Sequence, residues 1–216
     1  MQTLTLSRLL TACPVLQHLH LATNLDIIIL IPTVITLNLS ACRLSNIVHI
    51  NAPALEFFYF YGYLGEDVVL ENLPNLVKIA VSNEIKRDNS IEDFAKRVRD
   101  FMRLFCNVVS MELLRVNAEI LFHASNHDDI PMFHNLSFLG LIGILCKWHL
   151  IQLLLHRTPN LQMLVFRLVS YDGERSAIDG CLKKPRDVPK CLSSQLTICY
   201  FEGFSRRKVE MILVYV

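Results

Sequence analysis

Glycine is scarce, at 7 of 216 residues, and tryptophan occurs once. Among so few glycines there is no G-x-S-x-G elbow, no phosphate-binding glycine loop and no dinucleotide fingerprint. The seven cysteines are odd in number, and no two stand at C-x-x-C spacing. Neither a disulfide framework nor a zinc finger fits that usage, which favours a reducing compartment. Charge is low and balanced: 21 Lys+Arg against 20 Asp+Glu leave +1. Such a chain has no electrostatic reason to prefer nucleic acid or an anionic membrane. Long apolar runs are missing as well. Asn135 to His156 is the most apolar stretch, but Lys147, His149 and Gln152 interrupt it. Its unbroken core is about half of the roughly 20 residues a membrane span needs. The N-terminus, MQTLTLSRLLTACPVLQ, lacks a basic segment ahead of an apolar block, so no signal peptide is expected. The expectation is a soluble protein of the cytoplasm or nucleus, without cofactor or metal.

What is abundant is leucine, 36 residues, in a chain that is 52% hydrophobic and therefore not disordered as a whole. The leucines are in register. Val34, Leu37, Leu39, Cys42 and Leu44 fill the leucine-rich-repeat pattern L-x-x-L-x-L-x-x-N/C-x-L, and Leu16, Leu19, Leu21 and Asn24 fill the same offsets upstream. The core of the motif returns as Leu55/Phe58/Phe60, Leu76/Ile79/Val81, Met111/Leu114/Val116, Leu136/Leu139/Leu141 and Leu161/Leu164/Phe166. Proline precedes it as Pro14, Pro32, Pro53, Pro74 and Pro159, at the entry to each strand. Each copy predicts one short strand with alternate residues inward, stacked on its neighbours as in a solenoid.

One interval, between the copies at Leu76 and Met111, exceeds the usual repeat by about one helix. Ile91, Phe94, Ala95, Val98, Phe101, Met102 and Phe105 have helical spacing there, opposed by a charged face. Ser90 and Asp93 resemble a capping box. The spacing predicts a helix from about Ile91 to Phe105 on the convex side, and a second over Trp148 to His156 that ends before Pro159.

Residues with catalytic or metal-binding chemistry do not assemble into a site. His123 and His127 stand four apart before Asp128 and Asp129, but FHASNHDDIP reads as a turn. His18 and His20 share one strand face without a third ligand. Cys191 has no base partner and reads as a buried small hydrophobe. The sequons at Asn38 and Asn135 would matter only in the secretory pathway.

Four segments carry a family resemblance: CPVLQHLHL, IEDFAKRVRDFMRLFCNVVSMELLRV, WHLIQLLLHRTPNLQMLVF and PRDVPKCLSSQLTICYFEGF. Together they resemble the plant F-box/FBD/LRR-repeat proteins, from Thr11 to about Glu210. The last, with Val188, Pro189, Cys191, Leu192, Gly203 and Phe204, looks like the FBD module that closes them. The resemblance implies an α/β fold: an irregular leucine-rich-repeat solenoid with a parallel concave sheet, then a small α/β FBD-like module. Its division would be 1–157 for the repeats, with a helical insertion at about 84–106, and 158–216 for the last repeat and the FBD-like module. Leu182 ahead of Pro185 stands where the family pattern has Trp. No F-box is expected before Leu16, and the module is expected to be truncated at Val216.

The function implied is a non-enzymatic protein-interaction arm, resembling the substrate-recognition part of a plant Skp–cullin–F-box ubiquitin ligase. A free-standing scaffold, a decoy or a non-functional remnant is the alternative. The partner would be a protein, with a Skp-type adaptor only if an F-box is encoded upstream, and with neither nucleic acid nor membrane. Residues between the inward leucines would form the contact surface. By offset these include His18, His20, Asn38, Phe57, Tyr59, Tyr61 and Lys78, then Leu113, Arg115 and Asn117 in the fifth copy. Phe57, Tyr59 and Tyr61 are the candidate anchors. Phe138, Ile142, Met163 and Val165 are expected to pack under the C-terminal module.

Overall fold

A computed structural model describes residues 8–10, 12–23, 27–43, 48–63, 68–71, 73–83, 91–114, 130–143, 148–167 and 188–203. The fold is α/β, and all its strand pairs are parallel. Eight strands form the larger sheet: β1 (His18–Ala22), β3 (Thr36–Arg43), β5 (Phe57–Tyr63), β7 (Lys78–Asn83), β8 (Ser110–Leu114), β9 (Phe138–Ile142), β10 (Met163–Arg167) and β11 (Ile198–Glu202). Their spatial order is their chain order, so each stretch between them leaves the sheet and returns one strand further along. Three of those excursions contain a short strand, β2 (Ile27–Leu30), β4 (Val48–Asn51) and β6 (Val68–Glu71), and these pair into a second sheet. Later excursions contain helices instead: α1 (Ile91–Arg103), α2 (Trp148–His156) and α3 (Lys190–Ser194).

One turn opens each of the first seven repeats. The backbone N–H of Leu16, Val34, Leu55, Leu76, Val108, Leu136 and Leu161 donates to the carbonyl three residues earlier, on Cys13, Ile31, Ala52, Leu73, Phe105, Phe133 and Thr158. Proline at the second position of five of these turns is the residue whose fixed φ suits it. Its role is thus to make the turn as well as to mark the strand entry. The residue after each motif leucine presents a carbonyl that receives two N–H groups from the next repeat; Gln17 receives those of Ile35 and Thr36, and Ile35 those of Glu56 and Phe57. Asparagines reinforce the stack, since Asn75, Asn135 and Asn160 donate through Nδ2 to the carbonyls of Pro53, Asn107 and His134.

These bonds correct the fifth copy of the motif. Ile79 pairs with Met111 and Val81 with Leu113, so the copy is Val108/Met111/Leu113, three residues earlier than the leucine pattern suggests. Leu113, expected on the contact surface, is fully buried instead. The turn here, Phe105-Cys106-Asn107-Val108, has no proline, which removes the usual marker. The recurring Asn-Leu or Asn-Val pair at 75–76, 107–108, 135–136 and 160–161 is the signal that would have set the register. The leucine pattern also misses an eighth copy, Leu196/Cys199/Phe201. It lies in the segment expected to form the FBD-like module and joins the same sheet through β10, with Phe166 and Phe201 stacked at 5.2 Å.

The core lies between the larger sheet and whatever each excursion lays behind it. Leu37, Leu39, Phe58 and Phe60 share one buried cluster with Ile29, Val48, Ile50 and Ala52 of the second sheet and its flanks. Further along, Val98, Phe101, Met102 and Phe105 bury the inner face of α1. Phe105 lies 6.1 Å from Phe58, and Phe101 lies 6.0 Å from Phe60 and 4.8 Å from Phe105. Both long helices occupy the expected spans, α1 ending two residues early. The second sheet was not expected, although its runs Ile27-Ile28-Ile29, Val48-His49-Ile50 and Val68-Val69 are rich in the β-branched residues that strands favour. The capping pair Ser90 and Asp93 lies outside the residues whose side chains are described.

Candidate functional site

Because strands alternate their side chains, the inward motif residues leave every second residue on the opposite face of the larger sheet. Register assembles these into three rows. The first runs His18, Thr36, Phe57, Lys78, Ser110, Phe138, Met163, Ile198. The second runs His20, Asn38, Tyr59, Ala80, Glu112, Gly140, Val165, Tyr200, and the third Ala22, Ser40, Tyr61, Ser82, Leu114, Ile142, Arg167, Glu202. Seven of the ten candidate contact residues fall in these rows; Leu113 is in the core, and Arg115 lies outside the described residues. So do Asn117, His123, His127, Asp128 and Asp129.

Phe57, Tyr59 and Tyr61 occupy one strand, one in each row, and are half-buried. They belong neither to the core cluster nor to bulk solvent. His20 Nε2 meets Ser40 Oγ at 2.8 Å, which ties the first strand's polar face to the second's. Asn38 Oδ1, between His20 and Tyr59, is shielded from solvent and has no hydrogen-bond partner among the described residues.

Glu112 is the residue the misplaced fifth copy concealed. Its carboxylate meets Lys78 Nζ at 2.7 Å, and the same ammonium lies 6.0 Å from the Tyr59 ring centroid. Burial alone would lower the Lys78 pKa, but the hydrogen bond and charge of Glu112, with smaller contributions from Tyr59 and Tyr61, hold it above the ordinary lysine value. Burial and the Glu112 charge together push the Tyr61 phenol up. At the far end of the face, Arg167 Nε pairs with Glu202 across β10 and β11. Phe138, Ile142 and Met163 are half-buried and Val165 is buried. The last described strand, β11, extends the sheet beside them rather than lying over them.

Among the described residues no three His, Cys, Asp or Glu side chains converge as metal ligands. Cys191 is fully buried, its thiol donates to the Leu155 carbonyl at 3.3 Å, and burial pushes its pKa up, against a role as nucleophile. No helix among the described residues is long and apolar enough to cross a membrane.

An F-box/FBD/LRR-repeat protein of Arabidopsis thaliana is 29% identical over 217 residues, covering 93% of this chain and 48% of the relative. An F-box/LRR-repeat protein of the same plant is 26% identical over 206 residues, with 88% and 43% covered. A third, an FBD-associated F-box protein, is 28% identical over 171 residues, with 76% and 35% covered. The chain is similar over most of its length to plant F-box/FBD/LRR-repeat proteins. It spans less than half the length of these curated relatives. No family model matches it, and no solved structure does.

Proposed function

We propose that this protein is a non-enzymatic interaction arm whose open sheet face docks a partner protein, as the substrate-recognition part of a plant Skp–cullin–F-box ubiquitin ligase would. The observation that supports this reading is the three-row face itself. Eight strands in register present half-buried aromatic side chains that the core does not use, and such rings are favoured binding anchors. We read the repeats as an irregular leucine-rich solenoid, and the FBD-like segment from 158 onward as its terminal module. Phe57, Tyr59 and Tyr61 are the proposed anchors, flanked by His18, His20, Asn38 and Lys78. The cytoplasm or nucleus is the proposed location.

Tyr59→Ala tests the docking face. Partner affinity should fall by about 2 kcal/mol or more, as at a hot spot, while the melting temperature stays nearly unchanged. Equal loss of both would assign Tyr59 to packing. Because the chain covers under half of its relatives, membership of a ligase is tested separately. Co-purification of the natural product from plant extract should bring down a Skp-type adaptor and a cullin; their absence would leave a free-standing scaffold or decoy.

A further inference from the structure

The charged side chains of the three rows, histidines aside, are few and matched. Lys78 faces Glu112, and Arg167 faces Glu202. The first pair lies at the centre of the face. Ala80 stands between Tyr59 and Glu112 in the second row, and its methyl leaves the room in which the Lys78 ammonium reaches both. On the other side, a Cβ on Gly140 would stand 3.0 Å from Glu112 Cγ and 3.4 Å from the Phe138 ring. The Glu112 stem therefore lies close across the bare Gly140 backbone. Two small residues thus seat one ion pair flush with the aromatic side chains around it, at 29% and 24% side-chain exposure.

Resting on the docking reading above, we propose that the Lys78–Glu112 pair sets the specificity of this face, admitting an uncharged aromatic and aliphatic segment of a partner protein and rejecting acidic, phosphorylated or basic ones. An acidic group brought to Lys78 must displace Glu112 or lie against its charge, and a basic group brought to Glu112 meets Lys78 in the same way. A phosphate-reading surface uses arginines whose forks are open to the ligand, whereas the arginine in these rows is already matched to a carboxylate. Phe57, Tyr59, Tyr61, Phe138, Leu114 and Ile142 surround the pair and offer apolar contact area at little cost in side-chain entropy for the rings.

The test is selection from a displayed random-peptide library on the purified full chain, alongside Glu112→Gln and Lys78→Gln. Glu112→Gln keeps side-chain length and Lys78→Gln shortens it by one atom, both at partly exposed sites, and thermal melting checks that each variant folds. Wild type should enrich aromatic and aliphatic peptides of near-zero charge, whose affinity changes less than about two-fold on raising salt to about 0.3 M. Glu112→Gln should turn the selection toward acidic peptides and Lys78→Gln toward basic ones, each losing about ten-fold in affinity over the same salt range. Wild-type enrichment of charged peptides that Tyr59→Ala abolishes would overturn the specificity assignment alone. Identical selections from all three chains would do the same. Enriched peptides indifferent to Tyr59→Ala would overturn the docking face with it, and a library yielding no binder would overturn a linear segment as the occupant.

Discussion

At the residue scale, the turn asparagines show how a single side chain holds one repeat to the next. Asn160 Nδ2 donates to the His134 carbonyl at 2.9 Å, from an exposed position that adds nothing to the core. Asn160→Ala should therefore cost about 0.5–1.5 kcal/mol in urea unfolding, the net worth of one such bond, and leave partner binding intact. No measurable change would mean that water replaces the amide. Glu112 teaches the opposite lesson about legibility. Its place opposite Gly140 and Ala80 follows from the register of β8, and leucine alone misplaces that register by three residues because Leu113 and Leu114 are adjacent. The asparagine before Val108 carries the correct phase; a pattern built on leucine does not weigh it.

Elements behind the larger sheet are decided by the length of the excursion. Residues 44–56 between β3 and β5 have room for turns and the four-residue β4, whereas residues 84–109 between β7 and β8 accommodate the thirteen-residue α1. Helix and sheet meet through Phe58, Phe60, Phe101 and Phe105. Phe105→Ala should destabilise by about 3–5 kcal/mol, since it empties a fully buried site that touches both elements. A loss under about 1 kcal/mol would mean that α1 does not share the core. The charged centre of the face adds an alkaline dependence. The folded pKa of Lys78 and that of Tyr61 are both raised, from ordinary values of 10.5 and 10.0, so their contribution is full below those values and is lost as pH rises through the folded ones. Glu112→Gln should flatten this limb in a series of melting curves; an unchanged limb would assign it to other groups. The helices were legible because their apolar spacing repeats over several turns. The second sheet was not, because a four-residue strand is too short for its alternation to stand out from an apolar background.

Across the whole molecule, burial declines toward both ends of the larger sheet. Motif residues in β3, β5 and β7 are sealed, whereas Leu19 and Leu21 at one edge and Phe201 at the other are only partly covered, and Cys199 is exposed. Backbone hydrogen exchange should follow that gradient, slowest in β5 and β7 and faster in β1 and β11. Uniform protection would show a single cooperative unit with covered ends. Six of the repeats in their register, the parallel strands, the two long helices and the outward set containing Tyr59 were determined by the sequence, because a local period dictates which side chains share a face. Two things only the tertiary structure decided: the joining of Leu196–Phe201 to the same sheet, and the meeting of Lys78, Tyr59 and Glu112. Both depend on which strand lies next to which and in what register, and that is settled by hydrogen bonds between residues far apart in the chain.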